Sequence, residues 1–198
     1  MPGPGRLDAY VASLAGGLDA HSECLAKGIL VRTLLWDELG PASAELLPGP
    51  LRCLAEDVPM ASEWVPEVHH LALLHALAER GNGSEAAFVG RVRDRYRRMY
   101  GSPTYRTLMA GHNPASLIRA AEARWATFHR GTRLEIEGIA DDGVRVALHY
   151  PRRLFDDFHL AVVRQSFLAS LDLFHARSPR AEVLEAGPER GRFRLAWD

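Results

Sequence analysis

The hydrophobic period of this chain changes once, near residue 131, and that change limits what it can fold into. Ahead of it, apolar residues recur every three or four positions. Beyond it they alternate with polar ones: Leu134 and Ile136 stand between Arg133, Glu135 and Glu137, and Val144, Val146, Leu148 and Tyr150 interleave with Arg145, Ala147 and His149. The first period belongs to helices and the second to half-buried strands. Ala140-Asp141-Asp142-Gly143 separates the two alternating runs, and its Asp-Gly is a strong hairpin signal. Pro151 stops the second run, and Asp156 or Asp157 can cap a helix predicted over 157–177, which Ser178-Pro179 ends. Val183 and Glu185 open a weaker strand, 187–191 reads as a turn, and Phe193, Leu195 and Trp197 alternate in a last strand. The order is strand, strand, helix, strand, strand. Leu134, Ile136, Val146, Leu148, Phe193, Leu195 and Trp197 are expected to be buried against the helix.

The part before residue 131 reads as helices. Cys24, Leu25, Ile29, Leu30, Leu34 and Leu35 form one face of a predicted helix over 20–39, stopped by Gly40 and Pro41. Residues 41–50 read as a proline-rich loop, and 51–64 are ambiguous. From Pro66 the pattern is helical again, with Val68, Leu71, Leu74 and Ala78 on one face. Gly81-Asn82-Gly83 is a turn, Ser84 caps a helix to about Tyr100, and Asn113 with Pro114 starts another that runs to about His129. The predicted fold class is α+β, with a helical N-terminal part packed on one face of a four-stranded antiparallel sheet. We expect a single domain over 1–198, with 1–19 as an extension, 20–130 helical and 131–198 the ββαββ part.

Apolar residues at 47% and charged ones at 25% fit a globular chain and exclude a disordered one. A net charge of −1 argues against a nucleic-acid binder by bulk charge. No apolar run is long enough for a membrane span, and MPGPGRLDAY lacks a signal-peptide pattern, so a cytoplasmic protein is the expectation. Every basic residue except Lys27 is arginine, a bias that looks like codon usage in a GC-rich genome. Cys24 and Cys53 form no CxxC pair and read as two buried structural thiols.

Catalytic motifs are absent: the chain has no GxSxG, HExxH, GxxxxGK[ST] or GxGxxG. Asp141/Asp142 and Asp156/Asp157 are explained by a turn and a helix cap. His69 and His70 diverge by about 100° on a helix, and His70 and His75 are poorly spaced for one face. His129, His149, His159 and His175 fall near the helix–sheet junction. No metal site is assigned from this pattern, and the chain reads as a non-enzyme. On the predicted helix at 88–100, Phe88, Val92, Tyr96 and Met99 form an apolar stripe, while Arg91, Arg95 and Arg98 share a basic face offset only by Asp94. That face suits an acidic protein partner. The apolar faces of the helical part, such as Ile29, Leu30, Leu34, Leu35 and Trp36, point to a homodimer.

AKGILVRTLL at 26–35, FVGRVRDRYRRMYGSPTYRTLM at 88–109 and FRLAWD at 193–198 resemble an uncharacterised family of chains of about this length, found mostly in myxobacteria. The hairpin at 133–150, the helix at 157–177 and the closing hairpin at 181–197 are similar to a wider superfamily. It holds the 4-vinyl-reductase-like domains, the haem-nitric-oxide-binding domains and the TRAPP vesicle-tethering subunits. That resemblance implies a domain that binds small molecules, haem or acyl chains between helices and sheet, or a dimerising scaffold. The zinc-binding cysteines of the vinyl-reductase-like domains have no counterpart in the C-terminal half here, and no histidine aligns with a haem ligand.

The reading that follows is a non-enzymatic small-molecule-sensing or regulatory binding module. Trp125, Phe128 and His129 end one helix where the sheet begins, and Phe167, Leu171 and Phe174 lie on the long helix. Together they are the candidate wall of a site for a small apolar ligand, with no cofactor assigned. The alternative is a dimerising interaction scaffold without a ligand, and a haem or acyl-chain binder ranks behind both.

Overall fold

The protein is described by a computed structural model covering residues 5–39, 44–80, 84–109, 120–140, 142–174 and 176–198. The turn expected at 81–83, the helix start at Asn113 and Pro114, Asp141 of the hairpin and His175 lie outside those residues. The fold is mixed α+β, with eight α-helices and two antiparallel sheets among the described residues. The chain divides into two compact units. One runs through Phe88 and takes in Phe128–Gly131; the other comprises Val89–Thr127 and Thr132–Asp198.

The first unit is built around one helix. It contains α1 (Arg6–Ser13), β1 (Leu25–Lys27), α2 (Gly28–Glu38), α3 (Gly49–Glu56), β2 (Trp64–Pro66), α4 (Glu67–Arg80) and β3 (His129–Arg130). Nearly every residue of α4 from Glu67 to Ala78 is buried, so its apolar surface runs all round rather than along one stripe. It packs against α1, α2 and α3. Near its far end Glu79 accepts the Leu7 N–H at 3.0 Å, which satisfies a free donor in the first turn of α1. The three short strands pair in the order β2-β1-β3, with Ala26 opposite both Val65 and His129.

This sheet corrects the sequence-based expectation for 20–39. Residues 25–27 are a strand and the helix begins only at Gly28. Leu25-Ala26-Lys27 is too short to show a period, and its partners lie some 40 and 100 positions away, so long-range pairing overrides the local pattern. Leu30, Leu34 and Leu35 are buried within the unit and Ile29 is half-buried, which leaves only Trp36 of that face exposed, at 61%.

The second unit carries the expected ββαββ order. α5 (Glu85–Gly101) enters it after its first turn, followed by α6 (Pro103–Arg106), α7 (Ala121–Phe128), β4 (Arg133–Ala140), β5 (Gly143–His149), α8 (Asp157–Leu173), β6 (Arg180–Ala186) and β7 (Arg190–Ala196). The sheet order is β4-β5-β7-β6, antiparallel throughout. α8 packs on β6 and β7. At Gly191 a Cβ would sit only 2.7 Å from Leu160 Cδ2, so the missing side chain lets α8 approach β7.

Leu134, Val146, Leu148, Phe193 and Leu195 are buried as expected, while Ile136 and Trp197 are half-buried. A β-bulge follows Ile136, and Trp197 lies one residue past β7. α8 starts where the sequence placed it: the Asp156 side chain accepts the His159 N–H in a capping box. It ends at Leu173, four residues early, where Phe174 and Ala176 turn their N–H groups back onto Leu171 O. The opposite face of the sheet is ionic. Arg192 of β7 reaches Glu137 of β4 at 2.9 Å, and Ala147 on the strand between them is buried.

Candidate functional site

In the first unit the first turn of α4 and the edge strand β3 bring three ionisable side chains together. Glu67 is fully buried, His70 is 3% exposed and His129 is 9% exposed. Glu67 Oε1 lies 3.0 Å from His70 Nδ1, and its Oε2 lies 2.8 Å from His129 Nδ1. One carboxylate therefore bridges two imidazoles, one of them 62 positions away from it in sequence. Helical spacing supplies His70, at i+3 from Glu67. The β1–β3 ladder supplies His129, opposite Ala26.

Burial alone would raise the Glu67 carboxyl, but the charge and hydrogen bond of His129, with the hydrogen bond and charge of His70, bring it down to about 2. Cys24 sits beside this group: its carbonyl accepts the Glu67 N–H at 2.8 Å. Burial first, and then the charges of Glu23 and Glu67, push its thiol up to about 12, so it is a neutral, unreactive thiol. Gly131 closes the cluster. Its φ is +75°, and a Cβ there would lie 2.7 Å from Cys24 Sγ and 2.8 Å from Cys24 Cα. Cys53, expected to be buried, is exposed on α3.

The opposite face of the small sheet carries Trp64, with Lys27 Nζ 4.1 Å and Arg130 Cζ 4.0 Å from its ring centroid. Strand alternation puts these three on the side away from Ala26, Val65 and His129.

In the second unit the candidate residues lie on α7 and on or at the end of α8. Phe167 on α8 meets Phe193 of β7 edge to face at 5.2 Å. Leu171 and Phe174 are buried near the end of α8, and Trp125 is buried on α7. Trp125 Nε1 donates to Thr132 Oγ1 at 2.9 Å. Arg124, beside it, is also buried; its Nε donates to Leu108 O at 3.0 Å and its guanidinium lies 5.3 Å from the Phe174 ring centroid. Burial lowers its pKa from the ordinary arginine value. On the α5 side, Tyr100 is hydrogen-bonded to Ser166 and Ser170 of α8, and burial holds its hydroxyl well above the ordinary tyrosine value. Sequence reasoning missed Arg124, Tyr100 and the two serines, because each is polar on an otherwise apolar pattern.

The six candidate ligand residues do not share one unit. Trp125, Phe167, Leu171 and Phe174 belong to the second, whereas Phe128 and His129 belong to the first. His129 is tied to Glu67, His149 to Glu135 at 3.0 Å and His159 to Asp156 at 2.9 Å, so each of these three described histidines lies against a carboxylate. The basic face of α5 is also smaller than its spacing suggested. Arg91 and Arg98 are exposed, but Arg95 is buried at 4% because the inward face of α5 is wider than the predicted stripe. Arg93 pairs with Asp172 of α8 through two contacts of 2.8 and 2.6 Å.

No protein-family model matches the sequence, and no curated protein sequence matches it. Solved structures do. An oxygen-binding H-NOX domain related to soluble guanylate cyclases superposes with a TM-score of 0.58 at 13% identity, over 86% of this chain and 92% of that one. The unliganded Fe(II) H-NOX protein from K. algicida gives 0.61 at 12% identity, over 87% and 96%. An H-NOX structure from a study of haem distortion gives 0.60 at 14% identity, over 86% and 92%. The chain therefore has an α+β fold of the H-NOX type. At these identities the likeness extends to the fold and no further.

Proposed function

We propose that this chain is a non-enzymatic sensing module that takes a small apolar ligand in the helix–sheet seam of its second unit. The observation that carries the reading is the H-NOX-like fold over 86–87% of the chain. The seam supports it: Trp125, Phe167, Leu171 and Phe174 offer an apolar wall, and Arg124 and Thr132 add two polar groups, the usual make-up of a small-molecule site.

Haem is the group that several of the H-NOX structures concern. No axial ligand is assigned among the described histidines, and His112 and His175 lie outside the described residues. His70 and His129 both direct Nδ1 at one carboxylate, and the Gly131 backbone lies too close to Cys24 to admit even a Cβ. His159 is held in a helix cap and His75 stacks on Tyr10 at 5.1 Å. The proposal names an apolar ligand and routes nothing through iron.

Calorimetric titration of the purified chain with haem and with medium-chain acyl ligands tests it. Saturable binding of a small apolar molecule, weakened about tenfold or more by Phe174→Ala, supports the seam. Binding left intact by that variant removes the seam from the account.

Two subsidiary features belong to the regulatory side of this reading. Arg91 and Arg98 are the exposed part of the α5 face proposed for an acidic partner. Trp36 and Met60, each 61% exposed, are the apolar side chains on which the homodimer alternative rests.

A further inference from the structure

We infer that Glu67, His70 and His129 form a pH-responsive latch that holds the Phe128–Gly131 strap in the first unit most tightly when the pair of histidines carries one proton beyond neutrality. The geometry is a carboxylate with no exposure, sharing its two oxygens between two nearly buried imidazoles at 3.0 and 2.8 Å. The strap is also held by a two-residue ladder to β1, by Gly131 against Cys24, by Arg130 on Trp64 and by the burial of Phe128. It is continuous in sequence with α7, which bears Trp125, and with β4. In sequence the latch therefore lies between α7 and β4, and the inference does not depend on the proposed ligand seam.

Charge neutrality sets the optimum in this buried cluster. An ionised carboxylate with one imidazolium and one neutral imidazole sums to zero. Adding a proton leaves a net positive charge, and removing one leaves a net negative charge; either is costly where water is excluded. The strap should thus loosen on both sides of an optimum.

The other titratable or charged groups facing the cluster do not supply this balance. The Cys24 thiol stays neutral. Glu23 reaches Cys24 Sγ only at 4.0 Å and stands in solvent. His69, next along α4, faces Asp19 and the Leu18 backbone. Lys27 of β1 and Arg130 of β3 sit on the other side of the small sheet, against Trp64.

The test is site-resolved hydrogen exchange at the β1–β3 amides of the full chain from about pH 5 to about pH 9, corrected for intrinsic rates. Wild type should show protection that peaks inside this range and falls at least about fivefold toward each end. Glu67→Gln is neutral, so its balanced state has no imidazolium. Its protection should rise with pH and then level off, with no fall on the alkaline side. A flat wild-type profile, or a peak that persists in Glu67→Gln, overturns the latch. Nitrogen-15 spectra of the imidazoles cover the case in which that variant does not fold. One imidazolium shared between His70 and His129 at the wild-type optimum supports the latch, and two neutral or two charged rings overturn it.

Discussion

Glu67 concentrates the energetics of the first unit in one side chain. Truncating a fully buried carboxylate that serves two imidazoles leaves both without an acceptor, and such losses cost about 3–5 kcal/mol. Glu67→Ala should show this as a large drop in the denaturation midpoint. The pH dependence has a definite sign. The folded carboxyl sits at about 2, below its ordinary value of about 4.3. The stability that comes from the carboxyl's own titration is lost as pH falls from the ordinary value toward the folded one. The stability gap between wild type and Glu67→Gln should accordingly narrow on acidification through that window. Gly131→Ala combines a left-handed φ with a clash against Cys24 and should cost about 2–4 kcal/mol. The two thiols should also separate chemically: native protein should take up one equivalent of alkylating reagent, at Cys53, and unfolded protein two. Little of this was legible in the sequence. His70 follows Glu67 at helical spacing, but nothing local announces that His129 returns to the same carboxylate.

At the scale of elements, legibility tracked the length of the periodic run. β4, β5, β7 and α8 span seven or more residues each, and their alternation, Asp-Gly turn and Asp156 cap were readable. β1, β2 and β3 span three, three and two, too few to show a period, so the small sheet was hidden inside predicted helix and loop. The α5 arginines illustrate a second limit: spacing placed Arg91, Arg95 and Arg98 on one side, but burial of Arg95 depends on what α5 packs against. Two substitutions probe these contacts. Phe193→Ala removes a fully buried ring that meets Phe167 edge to face and should cost about 3–5 kcal/mol by chemical denaturation. Asp172→Asn breaks the partly exposed double contact with Arg93 and should cost only about 1 kcal/mol.

For the whole molecule, the α+β class followed from the single change of period, whereas the division into two units did not. The chain crosses between them near Phe88 and again around the Phe128–Gly131 strap, and neither crossing is marked by a linker composition. Among the described residues no helix is long and apolar enough to cross a membrane. Function was less legible than fold because the candidate site uses ordinary apolar residues, Trp125, Phe167, Leu171 and Phe174, rather than a motif. The central claim, that this fold serves a small ligand, is tested most directly by native mass spectrometry of the protein purified under gentle conditions. The account predicts a co-purifying small molecule, released on unfolding and depleted in Phe174→Ala. A bare chain at its sequence mass, which acquires no adduct when offered haem or acyl ligands, would contradict it.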